Sequence, residues 1–167
     1  RVTGGDWILT QPTFGSANVA QALGLANRLK INEWLASGAT PNPDDFVELF
    51  NPDPLPVALG GLSLSDQPIG APRRSVIAPL SFIAGSGYRA FLADGQKSPA
   101  NHVNFKLSVE QGEIGLLSAS QTVIDRVIYA PQRPGVASGR CPDGGNSVSV
   151  QSVPTPASPN ACPPVPP

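Results

Sequence analysis

Glu33, Asp44, Asp45, Glu48 and Asp94 are the side chains whose type and placement suit chemistry. Two carboxylates facing each other across a cleft can act as acid and as base or nucleophile on a glycosidic bond. No neighbouring aromatic platform signals a sugar groove beside them. Several carboxylates drawn together would instead hold calcium, which takes six to eight oxygen ligands. Glu33, Asp44, Asp45 and Glu48 form the candidate metal set, with Asn32 and Asp66 as further oxygen donors, although no DxDxDG loop is present. The bland reading makes the same acids the wet face and entrance of half-buried strands, paired with bases.

The segment DDFVELFNP at 44–52 concentrates the question. Strand alternation places Phe46, Glu48 and Phe50 on one face, and Val47 and Leu49 on the other. Glu48 then shares a side with two phenylalanines. An unpaired buried carboxylate is too costly, so Glu48 must lie at a sheet margin, meet a base or backbone donors, or bind a cation.

Charge is unevenly distributed. Between Lys30 and Arg73 there are six acids and no base, whereas residues 73–140 carry eight Lys and Arg against four Asp and Glu. Either the acidic strands lie beside basic ones such as those bearing Arg89, Lys106 and Arg126, or the carboxylates converge on a hard cation.

Other chemistries find less support. Nucleophilic catalysis needs a base beside the nucleophile, and the single histidine, His102, sits at a strand entrance with no GxSxG elbow in the sequence. The glycines of GSG at 85–87 lack the following Lys and helix of a phosphate loop and suit a hairpin turn. Two cysteines do not make a zinc site, and CxxC is absent. Cys141 and Cys162 are expected to pair, which would imply an oxidising compartment. Net charge is −1 with 14 % charged residues and no basic run, which argues against nucleic acid. No apolar stretch approaches the ~20 residues that cross a bilayer as a helix. Absence of methionine and a start at Arg1 suggest a processed chain or a piece of a longer one.

The elements that must position these residues are short. With 17 glycines and 20 prolines, the 167 residues favour many brief segments separated by turns. Strand-like alternation recurs in LKINEWLA (29–36), DFVELFN (45–51), LGGLSLSD (59–66) and RSVIAP (from 74). It continues in GYRAFLAD (87–94), VNFKLS (from 103), EIGLLSAS (from 113) and TVIDRVIYAP (from 122). Eight or nine such strands predict an all-β sandwich or barrel. Phe46, Phe50, Leu62, Leu64, Phe91, Phe105, Ile114, Leu116, Ile124 and Val127 are the expected core. Only SANVAQALGLANRL at 16–29 has helical composition, so one short helix or a loose linker is expected there.

Two stretches echo each other. GGDWILTQPTFGSANVA at 4–20 and GGNSVSVQSVPTPASPNA at 144–161 both open with Gly-Gly, pass through a short strand, reach Pro-Thr and close at an Asn. The match needs a two-residue gap. Coincidence between turn-rich stretches is one reading; a tandem array, in which residues 1–20 end a preceding copy, is the other.

The order of segments resembles the lamin tail domain. INEWLAS (31–37), DDFVELFNP (44–52), PVALGGLSLSD (56–66) and GYRAFLAD (87–94) carry the likeness, followed by HVNFKLS (102–108) and GEIGLLSASQTVIDRVIY (112–129). SGRCPDGG (138–145) and the closing PTPASPN (154–160) complete it. PTFGSAN at 12–18 looks like the same closing turn. The resemblance implies an immunoglobulin-like β-sandwich over 29–161, with residues 1–28 as the end of a preceding repeat plus linker, and 162–167 as a proline-rich linker. It carries over no active site. It implies a non-catalytic interaction or spacer module of a secreted or cell-surface bacterial protein, with a protein or matrix partner; a calcium-dependent accessory domain of a secreted hydrolase is the alternative.

Overall fold

The computed structural model describes residues 7–162. The linker expected beyond Cys162 and the Gly4-Gly5 opening of the echo lie outside them. The described residues are almost wholly β. In chain order the strands are β1 (Thr10–Gln11), β2 (Val19–Ala20), β3 (Lys30–Leu35), β4 (Phe46–Phe50), β5 (Val57–Ala58), β6 (Ser63–Ser65) and β7 (Ser75–Val76). They continue as β8 (Phe82–Ile83), β9 (Tyr88–Leu92), β10 (Gly112–Leu117), β11 (Val123–Tyr129), β12 (Ala137–Arg140) and β13 (Val148–Gln151).

Two antiparallel sheets form the sandwich. One has the order β13-β12-β3-β4-β9 and the other β11-β10-β6-β7; β1-β2 and β5-β8 are separate two-stranded ribbons. Ile31, Trp34, Val47, Leu49 and Phe91 from the first sheet meet Leu64, Ile114, Leu116, Val127 and Tyr129 from the second in one apolar core. A polar tie crosses between the layers. Asp125 of β11 accepts from the Ile31 amide at 2.8 Å and from Arg140 Nη2 at 3.0 and 3.2 Å, and Arg140 Nε donates to the Ile31 carbonyl at 2.7 Å.

β3 is buried along nearly its whole length, which one core face cannot explain. Ile31 and Trp34 both point into the main core although they are three residues apart. The register against β4 slips between Ile31 and Glu33, so one residue is inserted, as in a β-bulge. Asn32 and Glu33 are thereby both available to the outer face. Leu35 joins a second small cluster with Phe46, Ala137 and Leu92. The outer face of this sheet is therefore covered as well, by the chain between Cys141 and Cys162.

Three expectations need correction. Residues 16–29 form no α-helix: Val19–Ala20 is a strand, and only Ala26–Arg28 makes a 3-10 turn. VNFKLS is not a ladder strand. Val103, Phe105 and Leu107 are buried in alternation, but the Val103 amide donates to the Leu92 carbonyl and the Leu107 amide to the Asp45 carboxylate. The segment meets the end of β9 and the residues after it only at isolated bridges, Leu92 with His102 and Asp94 with Lys106, so no continuous ladder forms. Phe50 lies outside the main core and stacks on Tyr88 with ring centroids 4.9 Å apart on the outer face. Ile124 only flanks the core; the other expected core residues are buried.

Candidate functional site

The chemistry-bearing side chains gather on the outer face of the five-stranded sheet. Glu33 of β3 stands directly opposite Glu48 of β4, and both are fully buried. The bulge adds Asn32, β9 adds Tyr88, and the segment after β12 adds Asp143. Asn32 Nδ2 donates to Glu48 Oε1 at 3.1 Å and to Asp143 Oδ1 at 2.9 Å, while the Tyr88 hydroxyl donates to Asp143 Oδ2 at 2.8 Å. The Gly144 amide reaches Asn32 Oδ1 at 2.9 Å, with Gly144 at φ +69° and its Cα so close to Phe50 that a Cβ would fall 2.9 Å from the ring. Glycine is the residue that meets both demands.

This acidic face is filled by the chain itself. The turn 154–160 lies across it, with the Thr155 amide donating to both Glu33 oxygens at 3.0 and 3.1 Å and Thr155 Oγ1 donating to Glu33 Oε2 at 3.2 Å. The Ala157 amide donates to Glu48 Oε2 at 2.6 Å. Asn160 anchors the far end: its amide donates to Asp143 Oδ1 at 3.1 Å, and its Nδ2 to the carbonyls of Asn32 at 3.2 Å and Arg140 at 2.8 Å. Cys141 and Cys162 are bonded, with Cα atoms 5.4 Å apart, so the segment carrying the turn is tied down at its end.

Burial dominates the electrostatics. Loss of water pushes the Glu48 carboxyl up to about 8, the charges of Glu33 and Asp143 act in the same direction, and the bonds from Asn32 and Ala157 oppose them. Glu33 is raised for the same leading reason against the Thr155 bonds. Burial therefore favours the protonated form of Glu48, and its oxygens face amides of the same chain. What satisfies Glu48 is a backbone donor and one Asn, not a base.

The four residues expected as a metal set are not brought together. Glu33 and Glu48 meet, but Asp45 is occupied elsewhere, accepting from the amides of Gly38 and Leu107, both at 3.3 Å, and Asp44 is exposed. Among the described residues no group of three or more His, Cys, Asp or Glu is arranged to hold a metal ion. The oxygens of Glu33 and Glu48, candidate donors for calcium, accept from the backbone amides of Thr155 and Ala157.

Four other acids have separate partners. Asp66 pairs with Arg74 at 3.1 Å, Glu113 with Arg126, and Asp53 with Arg28 at 3.6 Å. Asp94 accepts from the Gln96 amide at 2.9 Å and meets His102 Nδ1 at 2.7 Å. Burial pushes Asp94 up, but these donors outweigh it and hold the carboxyl below its usual range. His102 borders a recess of about 250 Å³ with Arg73, Arg74 and Lys97. A more open apolar recess of about 700 Å³ lies between the β1-β2 ribbon and β8, lined by Trp7, Ile8, Leu23, Leu80 and Phe82.

Sequence reasoning missed Asp143, Tyr88, and the amides of Thr155 and Ala157. The available signal was the closing PTPASPN and its Asn, which mark a turn without saying where it docks. No protein-family model matches the chain, no curated protein matches it, and no solved structure matches it.

Proposed function

We propose that the chain is a non-catalytic interaction or spacer module of a secreted or cell-surface modular protein, of the bacterial lamin-tail-like kind. One observation carries the reading: the face that holds Glu33, Glu48 and Asp143 is sealed by the turn 154–160, and the oxygens a substrate or cation would need already accept from its amides. A carboxylate pair covered in this way works as a latch. The bonded cysteines support an extracellular setting. The strand order and closing turn support an immunoglobulin-like kinship, which remains a matter of fold and not of activity.

The test uses the chain with phosphodiester, phosphomonoester and glycoside panels, and a melting curve with calcium and with chelator. The expected outcome is no turnover and no shift of the melting temperature. Turnover abolished by Glu48→Gln, or a calcium-dependent rise in Tm, would overturn the reading.

A further inference from the structure

The turn that seals the acidic face occurs twice in this chain, and its face occurs once among the described residues. In PTPASPN the Ser158 amide donates to the Thr155 carbonyl at 3.0 Å, Thr155 Oγ1 lies 3.4 Å from Asn160 Oδ1, and Ala157 has φ +63°. In PTFGSAN the Ser16 amide donates to the Thr13 carbonyl at 3.4 Å, Thr13 Oγ1 lies 3.1 Å from Asn18 Oδ1, and Gly15 has φ +72°. The echo seen in the sequence is thus a repeated backbone shape. Thr13 and Gly15 occupy the places of Thr155 and Ala157, whose amides are the donors that Glu33 and Glu48 accept.

The two copies differ in their surroundings. The first is the tip of the two-stranded β1-β2 ribbon, exposed along nearly all of its length, with Phe14 wholly in solvent. Among the described residues no carboxylate accepts from the amides of Thr13 or Gly15. The left-handed third position is also better filled in this copy, because glycine adopts it without the cost that alanine bears.

We propose that the turn 12–18 is a docking element for the Glu33/Glu48 face of another copy of this domain. It would donate its Thr13 amide and hydroxyl to the residue corresponding to Glu33, and its Gly15 amide to the one corresponding to Glu48. Within one chain the face is held by 154–160, which is tethered at Cys162 and so has a high effective concentration. An acceptor copy is therefore one whose own closing turn is displaced, or one for which 12–18 is the closing turn. The inference rests on the latch reading of the site and names the partner of the module.

Two experiments decide it. The first is the full chain with Pro156→Phe, Ala157→Gly and Pro159→Ala, which writes PTFGSAN into positions 154–160. It should stay folded, with the Glu48 carboxyl titrating by carbon NMR as it does in the unmodified chain; a Glu48 titration moved away from that of the unmodified chain would overturn the proposal. The second adds a labelled peptide of residues 8–20 to the full chain carrying Thr155→Val and Asn160→Ala. Saturable one-to-one binding is expected there, at least tenfold tighter than to the unmodified chain and lost with Glu48→Ala or with Gly15→Pro in the peptide. Absence of binding to the folded variant would also overturn it, and if that variant does not fold the chimera alone decides. Catalytic turnover on the panels above would remove the module reading while leaving both outcomes intact, so the two failures are distinguishable.

Discussion

Glu48 keeps a proton that a solvated glutamate gives up. Its folded value near 8 lies above the ordinary 4.5, so the folded chain binds the proton more tightly than the unfolded chain does. The associated stability is complete below the unfolded value and is lost as pH rises through the folded one. Glu33 and Asp45, raised by burial, act with the same sign, whereas Asp94, lowered, loses its contribution as the solution becomes acidic. The melting temperature should therefore fall between pH 5 and pH 8.5, on the order of 5 °C or more at roughly 2–4 °C per kcal/mol for a chain of this size. Glu48→Gln should flatten that slope, because the side chain no longer titrates. A slope unchanged in the variant would remove Glu48 as its source. The alternation of DDFVELFNP was enough to see that Glu48 shares a face with phenylalanines. Its satisfaction was not legible, because the amide that bonds it lies 109 residues away.

At the scale of elements, the bulge in β3 and the turn 154–160 make one unit. The bulge turns Asn32 and Glu33 outward together, and the turn supplies amides at the spacing of Glu33 and Glu48. Gly139 of β12 shows how close the layers are: a Cβ there would stand 2.6 Å from Asn160 Nδ2, which is itself held by two carbonyls. Gly139→Ala should cost about 1–3 kcal/mol, the usual range for overpacking, and denaturant melts would show it as a lowered midpoint with unchanged slope. Most strands were legible from alternation, including β4, β9, β10 and β11. VNFKLS misled because alternation reports which side chains are buried, not what the backbone bonds to. The helical composition of 16–29 misled for a related reason. A short segment whose apolar side chains do not pack has little to hold it helical; Val19, Leu23 and Leu25 are exposed, and the segment is drawn out between the ribbon and the start of β3.

The whole molecule is a sandwich with a third, irregular layer made of its own C-terminal segment. That layer is closed by the bond between Cys141 and Cys162, a separation of 21 residues. Replacing both cysteines by serine should lower stability by roughly 3 kcal/mol on the chain-entropy model, and the loosened turn should let the Glu48 carboxyl fall back toward its ordinary value. Calorimetry reads the first effect and carbon NMR the second; an unchanged Glu48 titration would show that the turn docks without the tether. The sequence by itself determined the class of the fold, the positions of most strands, the cysteine partnership as an expectation and the presence of two similar turns, because these follow from local periodicity and punctuation. Only the tertiary structure decided that Glu33 and Glu48 stand side by side and accept from the amides of Thr155 and Ala157, because that depends on which distant backbone amides come to face two carboxylates once the sheet is formed.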